Sequence, residues 1–189
     1  ASTYASTSQL NTIQANSGET VTYTKLTDTA ALLVTNKADI VAGVTATAVE
    51  TGAASTLSTI AQINALQEQA SNAGSGASYV YTKVNDTSEH IVANVDGSGN
   101  VLDLNGKTVT VTTASNVSNY GKMLSGAGGG SVAGAVVDTA ANLANGVTLT
   151  GATSVTAEIS NANDLVSVTL DSEVTHIDIS TNSVANVLL

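Results

Sequence analysis

Alternation of apolar and polar positions is the first pattern in this chain, and it breaks off at regular places. "VTYTKL", "SYVYTKV" and "SVAGAVV" alternate with β-branched residues, which reads as strand. Each run ends on an Asp followed by Thr: Asp28-Thr29, Asp86-Thr87 and Asp138-Thr139. Small and apolar positions come next, then an Asn (Asn36, Asn94, Asn145). An acidic side chain before "TAALL" predicts a capped helical turn, because a carboxylate accepts from the free N–H groups of a first turn. Asp28, Asp86 and Asp138 are therefore the expected helix caps, and each phrase is a strand running into a short helix.

A second phrase lies between these copies: "TSQLNTIQANSG" from Thr7, "TLSTIAQINALQEQASNAG" from Thr56 and "TASNVSNYGKMLSGAG" from Thr113. Ser or Thr opens it, and Leu57, Ile60, Ile63 or Asn64, and Leu66 or Gln67 follow at helical spacing. Gly74 and Gly128 are the expected stops. The Asp residues fall 58 and 52 residues apart. Two strand–helix units of roughly 26 to 29 residues would fill that period, within the range of repeat arrays. From residue 146 the style changes. "VTLTG", "SVTAEIS", "LVSVTLDS" and "VTHIDIS" are short alternating runs, and Ile159, Val168 and Ile177 are spaced by nine.

These patterns predict a β-rich repeat protein. The expected fold is a β-solenoid with short capped helices between strands. Residues 1–145 would form strand–helix repeats resembling an α/β-solenoid, and residues 146–189 an all-β set of rungs in the same array. Asn105-Gly106 is expected to make a hairpin or tight corner, and "GAGGG" at 126–130 a flexible corner.

Composition supports a thin core. Of 189 residues 42% are hydrophobic, yet only 3% are aromatic, all Tyr, with no Phe, Trp, Pro or Cys. Thr is roughly one residue in seven, well above ordinary usage. The formal charge is −10, from 15 acidic and 5 basic residues. That balance argues against nucleic acid and against anionic membranes. No apolar run is long enough for a membrane-spanning helix. The uncharged beginning and end read as those of a processed product or a piece of something longer.

At this level of detail the chain resembles the low-complexity repeats of very large bacterial surface proteins. "VVDTAANLANGVTLTGATSVTAEI" and "TLSTIAQINALQ" are similar to units of cyanobacterial and proteobacterial S-layer-like, haemolysin-type and giant adhesin proteins. The resemblance covers most of the chain, most closely at 21–36, 55–72 and 132–150. It implies an extracellular, cell-surface structural segment of solenoid type. Haemolysin-type proteins also carry Gly-Gly-x-Gly-x-Asp calcium repeats, of which "SGAGGGSVAG" and "DGSGNVLDL" are not true copies.

Candidate chemistry is sparse. His90 and His176 lack zinc spacing, no Gly-x-Ser-x-Gly elbow occurs, and the chain has no Arg for a polysaccharide-lyase site. The expected activity is therefore none. Asp96, Asn100 and Asp103, in "DGSGNVLD", are the candidate metal ligands, with Ca²⁺ as the one cofactor considered. Tyr23, Tyr79 and Tyr81 could form a stacked ladder or a platform for a cell-surface glycan. Val184, Val187, Leu188 and Leu189 sit in an uncharged ending and are the expected head-to-tail self-association residues. Two roles result: a non-catalytic structural segment of a surface layer, filament or giant adhesin, or a binding module such as a virion fibre, decoration or carbohydrate-adhesion domain.

Overall fold

A computed structural model describes residues 4–18, 21–95, 102–144, 146–160 and 169–179. The chain divides into two compact units, Ala1–Asn85 and Asp86–Leu189. The change of style expected at residue 146 lies within the second.

In the first unit the strands β1 (Tyr4–Ala5), β2 (Lys25–Asp28), β3 (Thr45–Ala48) and β4 (Ser78–Val80) form one parallel sheet in chain order. Parallel neighbours need a crossover, and α1 (Thr7–Ser17), α2 (Ala30–Thr35) and α3 (Ile60–Ala73) supply it. Capping boxes start two of these helices. Ser6 pairs reciprocally with Gln9, and Thr59 with Gln62, each satisfying two orphan N–H groups. The alternation of β2 and β3 turns Leu26 and Ala46 to one face, in register with Tyr79 of β4. Leu10, Leu33, Ile63 and Leu66 from the helices close over that face, all fully buried with Leu26 and Ala46.

A second parallel sheet has the order β5 (Lys83–Asp86), β6 (Thr108–Val111), β7 (Ser131–Thr139), β8 (Ala152–Ile159) and β9 (His176–Ile179). The second unit holds β6 to β9 with α4 (Ser88–Val95) and α5 (Val117–Ala127). Its core draws on Ile91, Leu104, Val109, Tyr120, Met123, Val136, Leu143 and Ile159.

The expected β-solenoid with an all-β C-terminal part does not form. The described chain is a mixed α/β fold with two parallel sheets and five α-helices. Two physical reasons account for the difference. First, the helices are not short caps: α1, α3 and α5 run 11, 14 and 11 residues and bury Leu10, Ile60, Ile63, Leu66, Tyr120 and Met123. Side chains from helices, rather than a coil closing on itself, cover the sheets. Second, the nine-residue spacing is not a rung. β8 and β9 pair Ala157 with Ile177 and Ile159 with Ile179, an offset of twenty residues. Val147–Thr150 is not strand, Leu170 makes an isolated antiparallel bridge with Ala144, and Val168 lies outside the described residues.

Asn105-Gly106 makes a tight corner closed by Lys107 N–H donating to the Leu104 carbonyl, and β6 then pairs in parallel, so the corner is not a hairpin. The "GAGGG" stretch packs against it. A Cβ on Gly130 would run into the Lys107 backbone, so this is a close approach of two chains rather than a loose joint.

Candidate functional site

The most repeated geometry in the molecule is at the strand–helix junctions. In each, one carboxylate oxygen of the Asp accepts from the N–H of the following Thr: Asp28 from Thr29 at 2.9 Å, Asp86 from Thr87 at 2.8 Å, Asp138 from Thr139 at 2.8 Å. The Thr itself is the cap. Thr29 Oγ1 accepts from Leu32 N–H, Thr87 Oγ1 from His90 N–H, and Thr139 Oγ1 from Asn142 N–H. The capping role expected of Asp28, Asp86 and Asp138 thus sits one residue later.

Their carboxylates reach elsewhere. Asp28 Oδ2 accepts from both N–H (3.2 Å) and Oγ1 (2.6 Å) of Thr7, at the start of α1. Asp138 Oδ2 accepts from Val117 N–H, at the start of α5, at 2.9 Å. One Asp therefore ties its own helical turn to the beginning of the helix that precedes it. The fourth residue after each Asp varies with the copy. His90 Nδ1 lies 2.8 Å from Asp86 and Asn142 Nδ2 donates to Asp138 at 2.7 Å, while Leu32 is 46% exposed. Asn36 and Asn94 play one part, each donating to the carbonyl four residues back. Asn145 lies outside the described residues.

A second cluster was not foreseen. Glu50 accepts from the N–H groups of Thr82 and Lys83, from Thr82 Oγ1, and at 3.4 Å from Ser58 Oγ. Ser58 is fully buried and shares a 2.9 Å hydrogen bond with Tyr79 OH. Tyr79 stacks on Tyr81 with centroids 5.7 Å apart. Burial pushes the Tyr79 phenol up to about 12. The Ser58 hydrogen bond opposes that rise and the Glu50 charge adds to it. A phenol held neutral by burial beside a buried hydroxyl is an anchor, not an acid–base pair. Tyr120, fully buried in the second unit, is likewise pushed up to about 12 by burial and by the Glu173 charge, and its hydroxyl donates to the Val132 carbonyl. Tyr23 donates to the Asp39 carbonyl, and burial followed by the Asp39 charge raises its phenol. With Tyr79 and Tyr81 buried, these two rings offer no flat platform to a sugar.

The other predicted residues are scattered. Asp103 makes an Asx turn, accepting from Asn105 N–H at 3.0 Å. Asp96 and Asn100 lie outside the described residues, as do Val184, Val187, Leu188 and Leu189. Among the described residues no three His, Asp or Glu side chains gather as a metal would require. Most acids here already serve the backbone: Asp171 accepts from Gly146 N–H and Glu173 from Leu149 N–H. His176 Nδ1 lies 2.8 Å from Thr175 Oγ1. A small cleft of about 190 Å³ opens at the end of β8 and β9, lined by Glu158, Ile159, Ser160 and Asp178. Its two carboxylates are of one sign, Ser160 is the one hydroxyl in the lining, and no cation lines it among the described residues.

No protein-family model, curated protein or solved structure matches this chain.

Proposed function

We propose that the chain is a non-catalytic structural segment of an extracellular bacterial surface protein, and that it associates with copies of itself. The observation that carries this reading is the junction written three times: strand, Asp, capping Thr, helical turn. In two of the three the same Asp also holds the start of the preceding helix. Acidic side chains spent on backbone N–H groups stiffen a scaffold and leave little for chemistry. The cell-surface setting rests on the resemblance of the phrases and on an acidic, Thr-rich surface suited to solubility in salt. Light scattering and negative-stain imaging of the purified chain test it. Concentration-dependent oligomers, filaments or lattices support the reading; a monodisperse monomer at the highest attainable concentration overturns it. A glycan array is the companion measurement, since specific sugar binding would favour an adhesion module instead.

A further inference from the structure

Strand β9 ends the second sheet, and among the described residues nothing pairs with its outer edge. It reads His176-Ile177-Asp178-Ile179, and all four residues are exposed, Ile177 by 52% and Ile179 by 37%. Both isoleucines stand on the core side of the sheet. Their register partners are Ala157 and Ile159, which are buried. On the other side Asp178 lies in register with Glu158, two like charges side by side, an unfavourable pairing unless a donor joins them. The edge thus offers an open row of backbone groups, an uncovered apolar face and an acid in need of a partner.

We propose that this edge binds a second copy of the same chain, by antiparallel pairing of the two β9 strands about a two-fold axis at Ile177. The proposal rests on the self-association reading and names its contact. A two-fold axis normal to the sheet must pass through a residue that pairs with its own copy. Axes at Ile177 or its neighbours keep the isoleucine faces together. With the axis at Asp178, acid meets acid; at His176, imidazole meets imidazole. At Ile177 the two isoleucines meet, and His176 of each copy stands opposite the partner's Asp178, donating an N–H to the carboxylate that Glu158 crowds. Charge complementarity selects this register. An antiparallel strand on a parallel sheet is a common mixed arrangement. The contact is small beside the roughly 1,200 Å² of stable complexes, so association on the order of 0.1 mM is expected.

The chain has no cysteine, so single-cysteine variants read the register directly. Directly opposed residues lie within disulfide reach, about 4.5–5.5 Å between Cα atoms. Under mild oxidation I177C should form a covalent dimer. H176C alone and D178C alone should not, whereas a mixture of the two should. In sedimentation, H176D should weaken association about tenfold or more, as should D178H. Mixing H176D with D178H chains should restore it as a heterodimer, which a folding defect in either variant cannot do. Association of the unmodified chain without I177C cross-linking, or with H176C cross-linking alone, would overturn this contact and leave the self-association reading standing. A monomer up to about 1 mM, roughly tenfold above the expected constant, would overturn both.

Discussion

Strands β2 (Lys-Leu-Thr-Asp) and β9 (His-Ile-Asp-Ile) are each four residues long, lie in parallel sheets and turn an apolar second residue to the core side. Their surroundings differ. β2 lies between β1 and β3, with Leu26 fully buried; β9 has a neighbour on one side, and Ile177 is 52% exposed. Their acids differ in the same way. Asp28 accepts from Thr7 N–H, Thr7 Oγ1 and Thr29 N–H, whereas Asp178 has no hydrogen-bond partner among the described residues and lies beside Glu158. Alternation assigns the faces of a strand, but burial needs strands on both edges and a helix above. A strand with the right pattern and half its cover is a surface waiting for one.

Leu26→Ala should destabilise the first unit by about 2–5 kcal/mol, the range for a buried leucine. Ile177→Ala should change the second unit by no more than about 0.5 kcal/mol, as exposed positions do. Denaturant unfolding followed in each unit checks both, and equal losses would erase the distinction between covered and uncovered strands.

Alkaline pH sharpens it. Tyr79 and Tyr120 are raised to about 12 in the folded chain, against about 10 for an exposed phenol. A raised folded value favours the protonated form, so the stability they contribute is full below pH 10 and lost as pH climbs from about 10 to about 12. Each should remove on the order of 2 kcal/mol across that window. Tyr120→Phe should flatten the fall in the second unit, and Tyr79→Phe in the first, as read by phenolate absorbance alongside unfolding. Ile177→Ala should leave both falls intact.

The two acids separate next. Asp28→Ala leaves the start of α1 and the Thr29 N–H without their acceptor and should cost about 1–3 kcal/mol. Asp178→Ala removes a like-charge neighbour of Glu158 and should cost nothing in the stability of the isolated chain. Thermal melts at low protein concentration compare them.

Strands before Asp28, Asp86 and Asp138, the helical phrases opening at Thr7, Thr56 and Thr113, and the stops at Gly74 and Gly128 were legible from periodicity and capping residues, because each depends on neighbours in sequence. The second and third helices start later, at Ile60 and Val117 behind Thr59 and Asn116, and the run at 78–84 divides between two sheets. The rest was not legible, because its causes are distant. Asp and Thr are both good caps, and the sequence does not show that Asp28 reaches Thr7, 21 residues upstream, while Thr29 takes the cap. Glu50 sits in "TAVETGA", with no periodic signal, and its donors lie 32 and 33 residues on. The spacing of nine through Ile159, Val168 and Ile177 is real in the sequence, but β9 pairs with β8 at an offset of twenty instead. Nothing local marks where one sheet stops and the next begins, so identical Val/Thr alternation suggested a single stack.

The smallest expected effect concerns buried hydroxyls. Ser88 and Ser115 are buried, and their Oγ atoms have no hydrogen-bond partner among the described residues. Ser88 occupies the place of Ala30 and Ala140 in the other two phrases. Ser88→Ala and Ser115→Ala should each be neutral or stabilising by up to about 1 kcal/mol. Calorimetry of the single variants decides it; a clear loss would mean that these hydroxyls have work in the second unit that Ala30 and Ala140 do not share.

Hydrogen–deuterium exchange at two protein concentrations separates the covered strand β2 from the open edge of β9. Amides of β2 are expected to exchange slowly and identically at both, since their partners are within the chain. The β9 amides that point away from β8 are expected to exchange fast in dilute solution and to become protected in concentrated solution, as a second copy pairs with the edge, while those that face β8 stay protected at both. Protection of the outward-pointing β9 amides that is the same at both concentrations, or absent at both, would mean that no second copy pairs there.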